Sequence, residues 1–441
     1  MATWGISGPV DLLRRTGILW WRCWPRLVAI YLVGWLTRYG ALKLAIFVSV
    51  HVGGLWGDLV FPLVPLARLL TYVAMFWVVR GAVTNARASW TEATNTVLRS
   101  ILPVFVLFTA WKLHLEDRAG YLNVRYLEYY GSTMDGLSSA KTSEQINQYL
   151  SPTDWRIYAV IGIAFAIRML LTRFREKLPT WTQLLALYLE ATWVLLLVTA
   201  AADKLFGTPE WIKERRVVVW YLNEKESLLA NLGPVRHLWE WATQFTAAAI
   251  PAVLIPLTWI AIAAAIYGIQ AMGTWSTSGH AFLGEKHATR VANAGQSVMG
   301  RVRPQWSRVP SGIQARTTEF ARGFLGILEK LADSIRVTLH GGPLIVATYV
   351  FAFMFLVFLY APGSYYEPQV GEGFVWRAAV NLLGPHELSW WSVYGQVFIV
   401  AIGSFIEPVK VCLVAATYGY CLERYSPAHA SQAETRNALP R

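Results

Sequence analysis

The residues of this chain that could carry chemistry are charged side chains inside segments that otherwise predict lipid-spanning helices. A charge at the centre of a bilayer costs about 2.5 kcal/mol or more. Such a residue is therefore expected to face a protein interior, a partner or a water-filled cleft. The six candidate substrate-binding residues are Arg38, Lys43, Arg68, Glu190, Glu407 and Lys410.

The spacing of these residues predicts how they pair. Lys410 follows Glu407 by three positions, so the two can pair on one helix face. Within the predicted spans, the remaining basic residues are then left with Glu190 as their acidic partner. The excess positive charge must be hydrated or neutralised. Water in a cleft, backbone carbonyls freed by prolines, or an anion such as a lipid phosphate could do so. Two alternatives stay open, namely basic side chains that extend to the membrane surface and an ion-coupled relay.

The composition indicates a membrane protein. Hydrophobic residues make up 55% of the 441-residue chain and charged residues 15%, whereas a soluble domain has about 25% charged residues. The formal charge of +12 would also fit nucleic-acid binding. However, Lys and Arg concentrate in the connections assigned to the cytoplasmic side and acidic residues in the outer loops. The excess charge thus indicates topology and attraction to anionic lipids, and no nucleic-acid partner is expected.

The predicted fold is an all-α, polytopic helical bundle with about eight transmembrane helices, both termini cytoplasmic, and amphipathic helices at the interface. Spans are placed near 25–52, 59–79, 100–115, 155–172, 181–202, 243–269, 343–361 and 395–422. We expect an interfacial N-terminal segment, 1–24, followed by transmembrane helices 1–6 in 25–272, with outer loops at 116–154 and 203–241. A basic cytoplasmic region, 273–342, then leads to transmembrane helices 7–8 in 343–424 and to a cytoplasmic tail, 425–441.

Three further patterns bear on this organisation. Apolar residues recur every three or four positions in 311–340, which predicts an amphipathic helix. The aromatic content of 362–394 predicts either a cap or anchoring at the outer interface. Residues 25–36 and 343–354 share Pro, Val, Ala and Tyr at identical offsets, which suggests either a parallel internal repeat or coincidence.

Catalytic and metal sites find little support. His114, Glu116 and Asp117 form an acidic cluster at a predicted loop start, which would suit a membrane transferase but equally any polar loop. The sequence contains no Walker A loop, dinucleotide fingerprint or nucleophile elbow. We therefore expect no catalytic residue, no metal site and no cofactor. The three cysteines indicate no disulfide framework.

The expected function is transport or envelope assembly, with an anionic lipid-like substrate in a basic intramembrane cleft. The main alternative is a non-catalytic accessory or scaffold subunit, and a membrane-embedded transferase is more distant. Expected partners are anionic membrane lipids, and also a protein partner or a second copy of the chain. The Arg- and Ala-rich composition suggests a bacterial plasma membrane.

Overall fold

A computed structural model describes residues 7–84, 105, 117–118, 120–122, 124–125, 155–174, 179, 182–201, 252–267, 336–360 and 373–437. Within these residues every regular element is a helix. The prediction of an all-α chain is therefore confirmed for this part of the protein.

The helices of the described residues are labelled in chain order. Their bounds are α1 Ser7–His51, α2 Gly54–Val60, α3 Leu63–Thr84, α4 Trp155–Arg173, α5 Thr182–Ala201, α6 Ala252–Tyr267, α7 Pro343–Leu359, α8 Phe374–Leu383 and α9 Leu388–Asn437. The described residues between 117 and 125 are also helical, although this region was predicted to begin a loop.

Three stretches of helix in the described residues are long and apolar enough to cross a membrane. They are Gly8–His51, Gly54–Gly81 and Tyr394–Arg424. Shorter apolar helices coincide with α5, α6 and α7, at positions where the sequence predicts spans. These lengths and compositions indicate an integral membrane protein, whereas the count of about eight spans stays a prediction.

Helix α1 differs from its predicted form because it has no break between the interfacial segment 1–24 and the first span. It runs unbroken through Pro25 for 45 residues. At 1.5 Å per residue this is about 68 Å, more than twice the roughly 30 Å of bilayer hydrocarbon. The helix must therefore tilt strongly or extend well beyond the lipid.

The chain reverses direction after α1, so that α3 packs back along it. Gly53 makes the reversal with φ of 135°, a conformation that favours glycine. Further along, Gly34 of α1 lies against Thr71 of α3, where an added Cβ would fall 1.9 Å from the threonine Oγ1. A small residue is thus required at this crossing, as is common between membrane helices.

The core forms where α1, α3, α6, α7 and α9 meet. Buried aromatic rings connect α3 with α6, because Tyr72 packs edge-on against Trp259 at 4.7 Å between centroids and Phe76 against Tyr267 at 6.3 Å. The hydroxyl of Tyr349 on α7 donates to the carbonyl of Pro256, 2.6 Å away, in α6. This hydrogen bond joins α7 to α6 within the core.

Several predictions lie outside the described residues. The third predicted span (100–115) is described only at Phe105, and the helix expected over 311–340 only from residue 336. Most of both outer loops is likewise outside. The membrane orientation and the domain boundaries stay predictions.

Candidate functional site

Arg38 and Arg68 converge on a single buried carboxylate, Asp117. The Nε of Arg38 donates to Asp117 Oδ1 at 2.7 Å, and a terminal nitrogen of the same guanidinium contacts that oxygen as well. A terminal nitrogen of Arg68 lies 3.7 Å from Oδ2. The Asp117 side chain is 0% exposed, whereas Arg38 is 26% and Arg68 13% exposed. Two cations therefore share one anion inside the protein.

The crossing of α1 and α3 positions both arginines. Arg38 follows Gly34 by one turn, and Arg68 precedes Thr71 by three residues. Since the two helices run in opposite directions, both guanidinium groups lie on the same side of the Gly34–Thr71 contact. The close approach of the helices thus brings the two arginines to the same carboxylate.

Asp117 is held in place by the helical segment 117–125. Tyr121 and Arg125 follow it at intervals of four residues, which places all three on one helix face. The Tyr121 hydroxyl donates to Asp58 Oδ1 at 3.1 Å, and Arg125 contacts the same oxygen at 3.3 Å. The Tyr121 ring also stacks on Phe61 at 4.9 Å. Polar contacts therefore fix this segment to α1, α2 and α3.

A second buried ion pair lies on α9. Lys410 Nζ is 2.8 Å from Glu407 Oε1, as the spacing of three predicts. The hydroxyl of Tyr72 on α3 donates to the other carboxylate oxygen at 3.1 Å, and the Lys410 ammonium lies over the Phe353 ring at 5.6 Å. Both charged side chains are almost fully buried. The pair is compensated by charge, a hydrogen bond and an aromatic face.

Tyr31 lies near both charge clusters. Tyr31 of α1 is hydrogen-bonded to Tyr360, and it interacts electrostatically with Glu407 as well as with Arg38 and Arg68. Tyr31 also packs against Gly403, where an added Cβ would fall 2.2 Å from the hydroxyl. The two charge clusters therefore lie near each other among the packed helices, and Tyr31 lies close to both.

The remaining candidates lie elsewhere. Glu190 of α5 pairs with Arg168 of α4 at 2.7 Å, so it does not serve as the acidic partner of Arg38 or Arg68. Lys43 is exposed on α1, and the described contacts of Asp117 do not include it. The structure thus brings Arg38 and Arg68 to one carboxylate, pairs Glu407 with Lys410, and places Glu190 in a separate pair on α4 and α5.

Sequence reasoning missed the two partners that matter most. Asp117 was assigned to a loop start, although its four-residue spacing with Tyr121 and Arg125 is a helical signal. Arg168 falls inside the predicted fourth span, so a scan of every span for charge would have found it. Because Asp117 is buried and ion-paired, it acts here as a counter-ion to the arginines.

An open apolar groove runs along the outside of the α1–α3 pair. Its volume is about 710 Å³, and its walls extend from Ala29 to Leu44 on α1 and from Leu63 to Ala74 on α3. Thr37 is among the lining residues, but its hydroxyl donates to the backbone of its own helix. The groove therefore offers a hydrocarbon surface to whatever occupies it.

Arg38 lies at the edge of this groove and is not one of the residues that line it. Gly34, four residues before Arg38, and Ala41, three residues after it, both line the groove. Residues three and four positions apart are neighbours on a helix surface. The partly exposed Arg38 guanidinium can thus meet a ligand in the groove while its other contacts hold Asp117. Among the described residues, no group of His, Cys, Asp and Glu side chains could hold a metal ion.

No known protein family, curated protein or solved structure matches this chain.

The buried pair on α9 should stabilise the fold only while both partners are present. We expect Lys410→Met to lower the free energy of unfolding by about 3 to 5 kcal/mol, because it leaves the Glu407 carboxylate buried without its cation. The double variant Glu407→Gln/Lys410→Met should recover most of that loss, because no buried charge remains. Thermal unfolding in detergent, followed by tryptophan fluorescence, measures the order of stability.

The matched control is Arg14→Met, which removes an exposed cation from α1 and should change the unfolding temperature little. An unchanged unfolding temperature for Lys410→Met would contradict this energetic account of the pair, and so would a double variant as unstable as the single one.

Proposed function

We propose that this protein binds an anionic lipid-like molecule as a membrane protein of the transport or envelope-assembly class. Its acyl or isoprenoid chain would lie in the α1–α3 groove, and its phosphate would contact Arg38. The observation that carries the proposal is that a partly exposed arginine, Arg38, adjoins the apolar groove of the α1–α3 pair.

The dimensions of the groove support a hydrocarbon occupant. Its wall on α1 extends from Ala29 to Leu44, which is about 22 Å along a helix. Half of the bilayer hydrocarbon is only about 15 Å thick, so one lipid chain can lie along the groove. A phosphate beside Arg38 would then be held by a cation that lies far from either end of α1.

The other charged residues would set the strength of that contact. Asp117 keeps both arginines in place and offsets part of their charge, so that a bound phosphate competes with a carboxylate already present. Glu407 and Lys410 pair on α9, and the hydroxyl of Tyr72 on α3 donates to Glu407. In this proposal they tune the site, whereas Glu190 stabilises the α4–α5 pair.

The membrane setting is part of the proposal. We infer about eight spans with both termini in the cytoplasm, in the plasma membrane of a bacterium. Support comes from the three helices long enough to cross a bilayer, the shorter apolar helices at predicted span positions, and the basic character of the connections assigned to the inside.

A second function, an accessory subunit that binds a partner helix, is favoured by one observation. Gly34, Gly40, Ala41, Ala67 and Ala74 all line the groove. Small residues of this kind let a further membrane helix approach closely. In that case the groove would hold a helix of another chain or of a second copy.

Removal of the proposed phosphate contact should remove the lipid. We expect Arg38→Ala to purify with severalfold less anionic phospholipid or polyprenyl phosphate than the unaltered protein, measured by native mass spectrometry from mild detergent. The matched control is Arg168→Ala, which also deletes an ion-paired arginine within an apolar helix but leaves the groove intact. Equal lipid retention by both variants would exclude Arg38 as the phosphate contact.

Filling the groove tests the hydrocarbon part of the site separately. Gly40 lines the groove and has no other atoms near the position of an added Cβ, so Gly40→Leu should fold and displace the chain. Gly17→Leu makes the same substitution on α1, also in open space, but outside the groove. Lipid retention should fall in Gly40→Leu and not in Gly17→Leu.

The same pair of variants separates the two functions. Lipid retention that is unchanged by Gly40→Leu would contradict the lipid site. Loss of a bound protein partner, or of a dimer in native mass spectra, would instead support the accessory subunit.

A further inference from the structure

Helix α8 is short, amphipathic and unlike the other described helices, because none of its residues is buried. Its sequence places apolar side chains over most of its circumference. Arg377 and Asn381, four residues apart, share the remaining side. A helix with one narrow polar side and one broad apolar side is typical of a membrane surface.

One part of the apolar side is fixed to the protein by aromatic rings. Trp376 packs edge-on against Trp391 of α9, with 5.6 Å between ring centroids. Phe374 stacks on Phe358 of α7 at 5.7 Å. These contacts hold α8 across the ends of two neighbouring helices and determine which of its sides faces outward.

Another part of the apolar side has no cover within the described residues. Leu382 is 88% exposed, and Leu383 beside it is also exposed. On the helix circumference Leu382 lies well away from Asn381, next to the apolar residues Val375 and Ala379. The exposed side is therefore continuous with the apolar face and does not belong to the polar one.

The position of α8 along the chain places it at the level of a membrane surface. It follows the C-terminal end of α7 and precedes the stretch Tyr394–Arg424 of α9, which is apolar and long enough to span a bilayer. Trp390 and Tyr394 pack together at that end of α9, with 4.9 Å between ring centroids. Trp and Tyr collect at the boundary between lipid and water.

We propose that α8 is an interfacial anchor, with the Leu382 side inserted at the boundary between headgroups and acyl chains and the Arg377 side facing water. The partner is the lipid surface itself, and this inference does not depend on the proposed lipid site in the α1–α3 groove. The anchor would fix the depth and tilt of α7 and α9 in the bilayer.

Spin labels placed on neighbouring residues of α8 test the proposal in the full-length protein, reconstituted in phosphatidylcholine vesicles. Leu382→Cys and Asn381→Cys are made in a Cys23→Ala background. The other two native cysteines are buried. Labelling of the Cys23→Ala protein without an added cysteine shows whether these two buried cysteines react. Collision with oxygen reports lipid exposure, and collision with a water-soluble nickel chelate reports water exposure.

We expect the ratio of oxygen to nickel accessibility to be severalfold higher at residue 382 than at residue 381. Equal accessibility to the nickel chelate at both residues would place this side of α8 in water and overturn the proposal. Protection of residue 382 from both reagents would also overturn it, because protein would then cover that side.

Discussion

One shared carboxylate is the interaction on which the rest of the site depends. Arg38 and Arg68 lie on different helices, and both reach Asp117, whose side chain is fully buried. A buried charge is tolerated only when it is paired, so the two helices and the 117–125 segment must be placed correctly together. The contacts of Tyr121 and Arg125 with Asp58 serve the same requirement at the other end of that segment.

The same constraint explains the form of the outer surface. Gly34 and Thr71 bring α1 and α3 close enough for both arginines to reach Asp117, and the small residues around that crossing leave a groove beside it. A polar interior and an apolar groove are therefore consequences of one helix crossing. The buried pair on α9 extends the polar interior, because the hydroxyl of Tyr72 on α3 donates to Glu407.

Hydropathy and spacing predicted the helical class, the positions of α3 to α7 and the Glu407–Lys410 pair, because these depend on local sequence. The partners of Arg38, Arg68 and Glu190 depend on contacts between distant segments, which no local pattern contains. Asp117 was assigned to a loop because a charged run after an apolar segment usually ends a span. Pro25 suggested a boundary where α1 continues, since a single proline can be accommodated within a membrane helix.

The central claim is that the α1–α3 groove holds a lipid whose phosphate meets Arg38. The most direct measurement is an electron cryomicroscopy map of the protein in nanodiscs that contain anionic lipid. The account predicts elongated density in the groove between Ala29 and Arg38, ending in a phosphate within hydrogen-bond distance of the Arg38 guanidinium. A groove filled by a protein helix, or a groove without density beside Arg38, would contradict it.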